Sequence, residues 1–170
     1  MIKRQIVTKD ILWGNLVDAA SKSKLSPELL HRAEQSILKD IALRTEVVRH
    51  ALVEPNFATP IAIDLISKFT VDEQLSLLPE LVYRLCHCHI GDVQGLENII
   101  LSLPRDRVLE RIDDAGNSAV RDGGYWEYLP LLSLYEKINQ NLMIQLAYRA
   151  LQHSDDDLKE VAGMYLTPDK

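Results

Sequence analysis

The sequence predicts an all-α protein made of stacked helix pairs, a right-handed α–α superhelix of about five pairs forming one domain over residues 1–170. Two internal periodicities and the composition support this. Residues 81–101 (LVYRLCHCHIGDVQGLENIIL) return in degenerate form as residues 146–166 (LAYRALQHSDDDLKEVAGMYL), with Leu81/Leu146, Tyr83/Tyr148, Arg84/Arg149, Asp92/Asp157 and Leu101/Leu166 shared. Both copies read as helix, polar break, helix, and such a unit buries its apolar face only by stacking on a neighbour. Ser26-Pro27 before Leu29, Leu30 and Ala33 is matched by Thr59-Pro60 before Ala62, Ile63 and Ile66. With 7 Gly, 7 Pro and little β-branched alternation, the composition is that of a helical domain.

Length and charge narrow the classes. At 170 residues the chain is the size of one domain and needs no covalent staples. Its two cysteines, Cys86 and Cys88, are too close together to bridge without strain, which points to a reducing compartment. No run approaches the roughly 20 apolar residues of a membrane span, and the N-terminus has no leader-like apolar core, so the expectation is a soluble cytoplasmic protein without membrane partners. A net charge of -6 with no basic block argues against nucleic acid.

Taken in order, Thr8-Lys-Asp10 is expected to cap a first helix carrying Ile11, Leu12, Trp13 and Leu16, with Trp13 packed inside. Pro27, which needs no amide partner in a first turn, opens the next helical region, and residues 27–53 are expected as two helices. Val71, Leu75, Leu78, Val82 and Leu85 step by four and three, predicting one helix over 71–88 kinked at Pro79. Asp92 is expected to cap a helix ending before Pro104, and another to span about 105–120. Gly123-Gly124 is the strongest loop signal. After it come helices through Leu131–Ile138, Leu142–Leu151 and Leu158–Leu166, making about ten in all.

Two stretches resemble known repeat families. Residues 48–60 (VRHALVEPNFATP) look like the leucine-rich-repeat-variant pattern, in which an arginine-bearing helix leads into a Pro-Asn turn and a Thr-Pro helix start. Residues 150–162 (ALQHSDDDLKEVA) resemble a HEAT repeat of the type also found in bilin lyases of phycobiliproteins. Both families are α-solenoids, so the resemblance implies a HEAT/ARM-like superhelix.

Candidate chemistry is sparse. Cys86-His87-Cys88-His89 offers four metal-ligand types in succession, with His50 or His153 as distant partners. Helical residues in succession point about 100° apart and do not converge on one ion, so the expectation is a helix end with a buried Cys86 and no metal or other cofactor. Asp155-Asp156-Asp157 reads as a helix cap with favourable dipole partners. No phosphate loop, His-Glu-x-x-His or nucleophile elbow is present. Tyr125, Trp126 and Tyr128 beside the Gly123-Gly124 loop have the chemistry of interface anchors and equally of residues filling a groove between helices. Arg84 and Arg149, at matching repeat positions, either brace a neighbouring repeat through an acidic partner or line a concave binding face. The function expected is a non-enzymatic module that binds another protein. The alternative is a bilin-lyase-like enzyme or accessory subunit that holds a chromophore or its acceptor protein.

Overall fold

The computed structural model describes residues 2–22, 27–53, 59–88 and 90–167, with the backbone alone at 2–8, 59, 90 and 91. Among these residues there are twelve helices and no strand, and no helix is long and apolar enough to cross a membrane. The backbone gathers into two compact units, Met1–Leu77 and Leu78–Lys170.

The first unit contains α1 (Ile2–Ser21), α2 (Pro27–Lys39), α3 (Arg44–Val53), α4 (Thr59–Ser67) and α5 (Val71–Ser76). The first helix begins well before the expected Thr8–Asp10 cap, which lies inside it. Trp13, Leu16 and Ala19 are buried at spacings of three, and α1 packs on α2 and α3. Residues 27–53 form two helices with Pro27 in the opening turn, while Ser26 lies outside the described residues. Val47, Val48, Ala51 and Leu52 form the buried stripe of α3, which packs on α4.

One ion pair ties three of these helices together. The Arg44 guanidinium forks onto Glu73, with Nε 2.6 Å from Oε1 and Nη2 2.7 Å from Oε2. Its Nη1 donates to the Leu38 carbonyl at 3.1 Å, and its plane sits 5.2 Å from the Phe69 ring centre. Glu73 also closes the capping box of α5, accepting from the Thr70 amide at 2.9 Å while the Thr70 hydroxyl receives the Glu73 amide. The bidentate bond to Arg44, reinforced by Thr70, holds the Glu73 carboxyl down to about 2.

The helix expected over 71–88 is two helices, α5 and α6 (Leu78–His87). Pro79 falls in the opening turn of α6, where its missing N–H breaks no bond, so the chain restarts instead of kinking. The second unit continues with α7 (Ile90–Ser102), α8 (Arg105–Leu109), α9 (Ile112–Ala119), α10 (Tyr125–Ile138), α11 (Gln140–Ala150) and α12 (Asp156–Leu166). Asp92 lies in the first turn of α7 and is not its cap. The helix expected over 105–120 is also two, because the backbone leaves the helical region at Arg111, with φ −132°. Neither Gly nor Pro marks that break in the sequence.

Helix α10 is the centre of this unit, packing on α6, α7, α11 and α12. Its buried residues Tyr128, Leu131, Leu132, Leu134, Tyr135 and Ile138 form a wide stripe, each large side chain contributing about 1.5–3 kcal/mol by leaving water. Tyr135 is fully buried and donates its hydroxyl to the Ile112 carbonyl at 2.9 Å, joining α10 to α9. A Cβ at Gly116 would overlap that hydroxyl, so glycine is what lets the tyrosine enter. Arg105 donates to the Ile138 carbonyl at 2.6 Å, a cation at the negative end of α10. On α7, Glu97 is buried and salt-bridged at 2.7 Å by Lys137 of α10. The two sequence copies correspond to α6–α7 and α11–α12, each a packed helix pair.

Two stability outcomes follow from these contacts. Gly116→Ala is expected to lower the unfolding free energy by about 1–3 kcal/mol through overpacking, although alanine is intrinsically the better helix former; an unchanged or raised melting temperature would contradict the close approach. Because the Glu73 carboxyl is depressed, its contribution is complete above its ordinary value of 4.5 and fades as pH falls to about 2. Glu73→Gln should therefore cost on the order of 2 kcal/mol at neutral pH in denaturant titrations. That gap should close progressively below pH 4.5.

Candidate functional site

The start of α10 is built by two carboxylates. Gly124 occupies the cap position and has no side chain to close the turn, so Glu127, three residues on, accepts the Gly124 amide at 2.8 Å. The Tyr125 amide donates to Asp155 Oδ2 at 3.2 Å. Asp155 is itself the cap of α12, its Oδ1 accepting from the Asp157 amide at 3.0 Å and the Leu158 amide at 3.2 Å. One carboxylate thus serves two helix N-termini, and these amides, the Leu158 bond foremost, lower its pKa. The Asp155 amide in turn donates to His153 Nδ1 at 3.1 Å.

Helical geometry then separates the aromatic residues that follow. Tyr128 turns inward, with its ring centre 6.2 Å from that of His153. Trp126, two positions earlier, points outward and is 71% exposed. Tyr125 is half-buried and meets the indole edge-to-face at 5.0 Å. The stretch read as flanking a loop is therefore the first turn of a helix, and its inward and outward roles fall to different residues.

Trp126 and Glu127 stand between two clefts of the second unit. The larger, of about 840 Å³, is lined by Cys86, His87, Cys88, Val93, Gln94, Trp126, Glu127, Leu129, Pro130, Ser133 and Tyr165. The smaller, of about 650 Å³, runs past Gly124, Tyr125 and Trp126 to Asp155, Asp157, Glu160, Val161 and Met164. Among the described residues neither is lined by Lys or Arg. No family model, curated protein or solved structure matches this chain.

Cys86, His87 and Cys88 form one wall of the larger cleft. His87 stacks on Tyr83 with ring centres 4.2 Å apart, and its Nδ1 lies 2.8 Å from the Tyr83 carbonyl oxygen. A carbonyl only accepts, so that nitrogen carries the proton. Cys86 is buried, and desolvation pushes its thiol up to about 12; burial also raises Cys88, whose Sγ lies 3.6 Å from the Leu85 carbonyl oxygen. His89 lies outside the described residues, and among those described no three His, Cys, Asp or Glu converge on a metal position.

The paired arginines occupy different surroundings. Arg84 is buried on α6, which packs on α7, α9 and α10. Arg149 is partly exposed on α11 and reaches α9, donating to Asn117 Oδ1 with Asp113 at 4.0 Å. The sequence reading missed Glu127 as a cap, Asp155 as a shared one, and Val93, Gln94 and Tyr165 as cleft walls. Glu127 had a local signal, an acidic residue three positions after a glycine break, whereas the others depend on packing between distant segments.

Thiol reactivity tests this geometry. At pH 8 Cys86 should be alkylated roughly a thousandfold more slowly in the folded chain than in the unfolded one, with Cys88 reacting first. Equal folded-state rates by mass spectrometry would contradict the burial of Cys86.

Proposed function

We propose that the chain is a non-enzymatic HEAT-like interaction module that binds another protein through the surface around Trp126. A large rigid aromatic left 71% exposed on the first turn of an otherwise well-packed helix carries the reading. Such side chains anchor interfaces because they bury much area while losing little conformational freedom. The flanking clefts give a partner somewhere to insert, and the helix beneath is held on the opposite side by Leu131, Leu132 and Tyr135. The solenoid character is supported by the repeat: the pairs α6–α7 and α11–α12 carry it, and α10 packs on members of both. Among the described residues, carboxylates without Lys or Arg along either cleft favour a protein partner over nucleic acid. Two free thiols fit a cytoplasmic setting.

A second reading rests on the size of the larger cleft, which lies in the range of small-molecule sites. A chromophore held there would follow the bilin-lyase resemblance. Bilins carry propionate groups, however, and Glu127 would oppose them, with no Lys or Arg among the described residues that line the cleft. The absorption spectrum of protein purified from its host separates the two readings, since a bound pigment gives a visible band.

Trp126→Ala is expected to weaken capture of the native partner about thirtyfold, equivalent to about 2 kcal/mol, with little change in melting temperature. Tyr128→Ala, which empties a buried position, should instead cost about 3–5 kcal/mol of stability. Unchanged capture by Trp126→Ala, or a fall of many degrees in its melt, would overturn the proposal.

A further inference from the structure

We infer that the partner of this surface is a basic protein segment, with an Arg or Lys side chain lying over the Trp126 indole and its charge directed toward Asp157 and Glu160. The inference rests on the interaction reading above and names the chemistry of what binds.

Two features of the surface converge on a cation-bearing occupant. The first is charge. Asp157 and Glu160 stand exposed on α12 one turn apart, on the cleft that Trp126 borders. Asp155 is already engaged by three helix amides, and the neighbouring Lys159 is held by Asp156 at 2.6 Å. An acidic segment would meet repulsion from both carboxylates, and the net charge of -6 adds to it at longer range. The second is the indole itself, whose π face attracts ammonium and guanidinium groups. A lone metal ion does not fit the same groups, since no three potential ligands converge among the described residues.

The test is an array of immobilised peptides matched in length and apolar content but basic, neutral or acidic, probed with the full chain. It is repeated with Trp126→Ala and with the double variant Asp157→Asn/Glu160→Gln. The basic peptides should bind at least about tenfold tighter than the acidic ones, and more weakly as salt rises. Their affinity should fall about thirtyfold with Trp126→Ala and about threefold to tenfold with the double variant. If acidic or neutral peptides bind in a Trp126-dependent way that ignores the double variant, the inference fails while the interaction reading stands. Basic peptides that bind equally well to Trp126→Ala would overturn the inference, because the attraction would then lie elsewhere. If no peptide class shows Trp126-dependent binding, the inference and the interaction reading both fall.

Discussion

The arrangement of the second unit depends on the contact between Tyr135 and the start of α9. A phenol buried completely must place its hydroxyl on an acceptor, and the Ile112 carbonyl at 2.9 Å provides one. The ring reaches that carbonyl only because residue 116 lacks a side chain. This fixes the rotation of α10 about its own axis. Every other orientation along the helix follows from 100° steps, so the burial of Tyr135 and the exposure of Trp126 are two consequences of one setting.

The Trp126 surface therefore rests on secondary structure more than on a loop. Its first turn is fixed by Glu127 on the Gly124 amide and by Asp155 on the Tyr125 amide, and Asp155 also begins α12. The two cleft walls are tied to each other through that carboxylate. In the first unit the Arg44–Glu73 pair plays the comparable part, a side chain that caps one helix while holding others. Both cases use an acidic residue near a helix start, where the dipole favours negative charge, to make a second bond outside its own helix.

Elements whose signals are local were legible in the sequence. Pro27 in a first turn, the Gly123-Gly124 break, Asp155 as a cap, and the pairing of residues 81–101 with 146–166 all stand in the fold where their residue types put them. Pro79 misled because a periodic apolar stripe runs unbroken across two helices, and a proline in a first turn looks the same as a proline in a kink. The break at Arg111 had no punctuating residue at all. Of the site, the residue types at Tyr125, Trp126 and Tyr128 were legible, but which of them faces inward was not, since that depends on where Tyr135 lands. The meeting of Cys86, His87 and Cys88 with Trp126 on one cleft joins segments about 40 residues apart, and no local pattern encodes it.

The central claim is that Trp126 is both exposed and rigidly held. The chain has two tryptophans, and Trp13 is buried, so a Trp13→Phe chain reports on Trp126 alone. Its fluorescence, followed for acrylamide quenching and for anisotropy decay together, tests both halves of the claim. We expect quenching close to that of free tryptophan, with anisotropy decaying mainly at the tumbling rate of the folded chain. A shielded indole, or one whose anisotropy is lost within a nanosecond-scale local motion, would contradict the account.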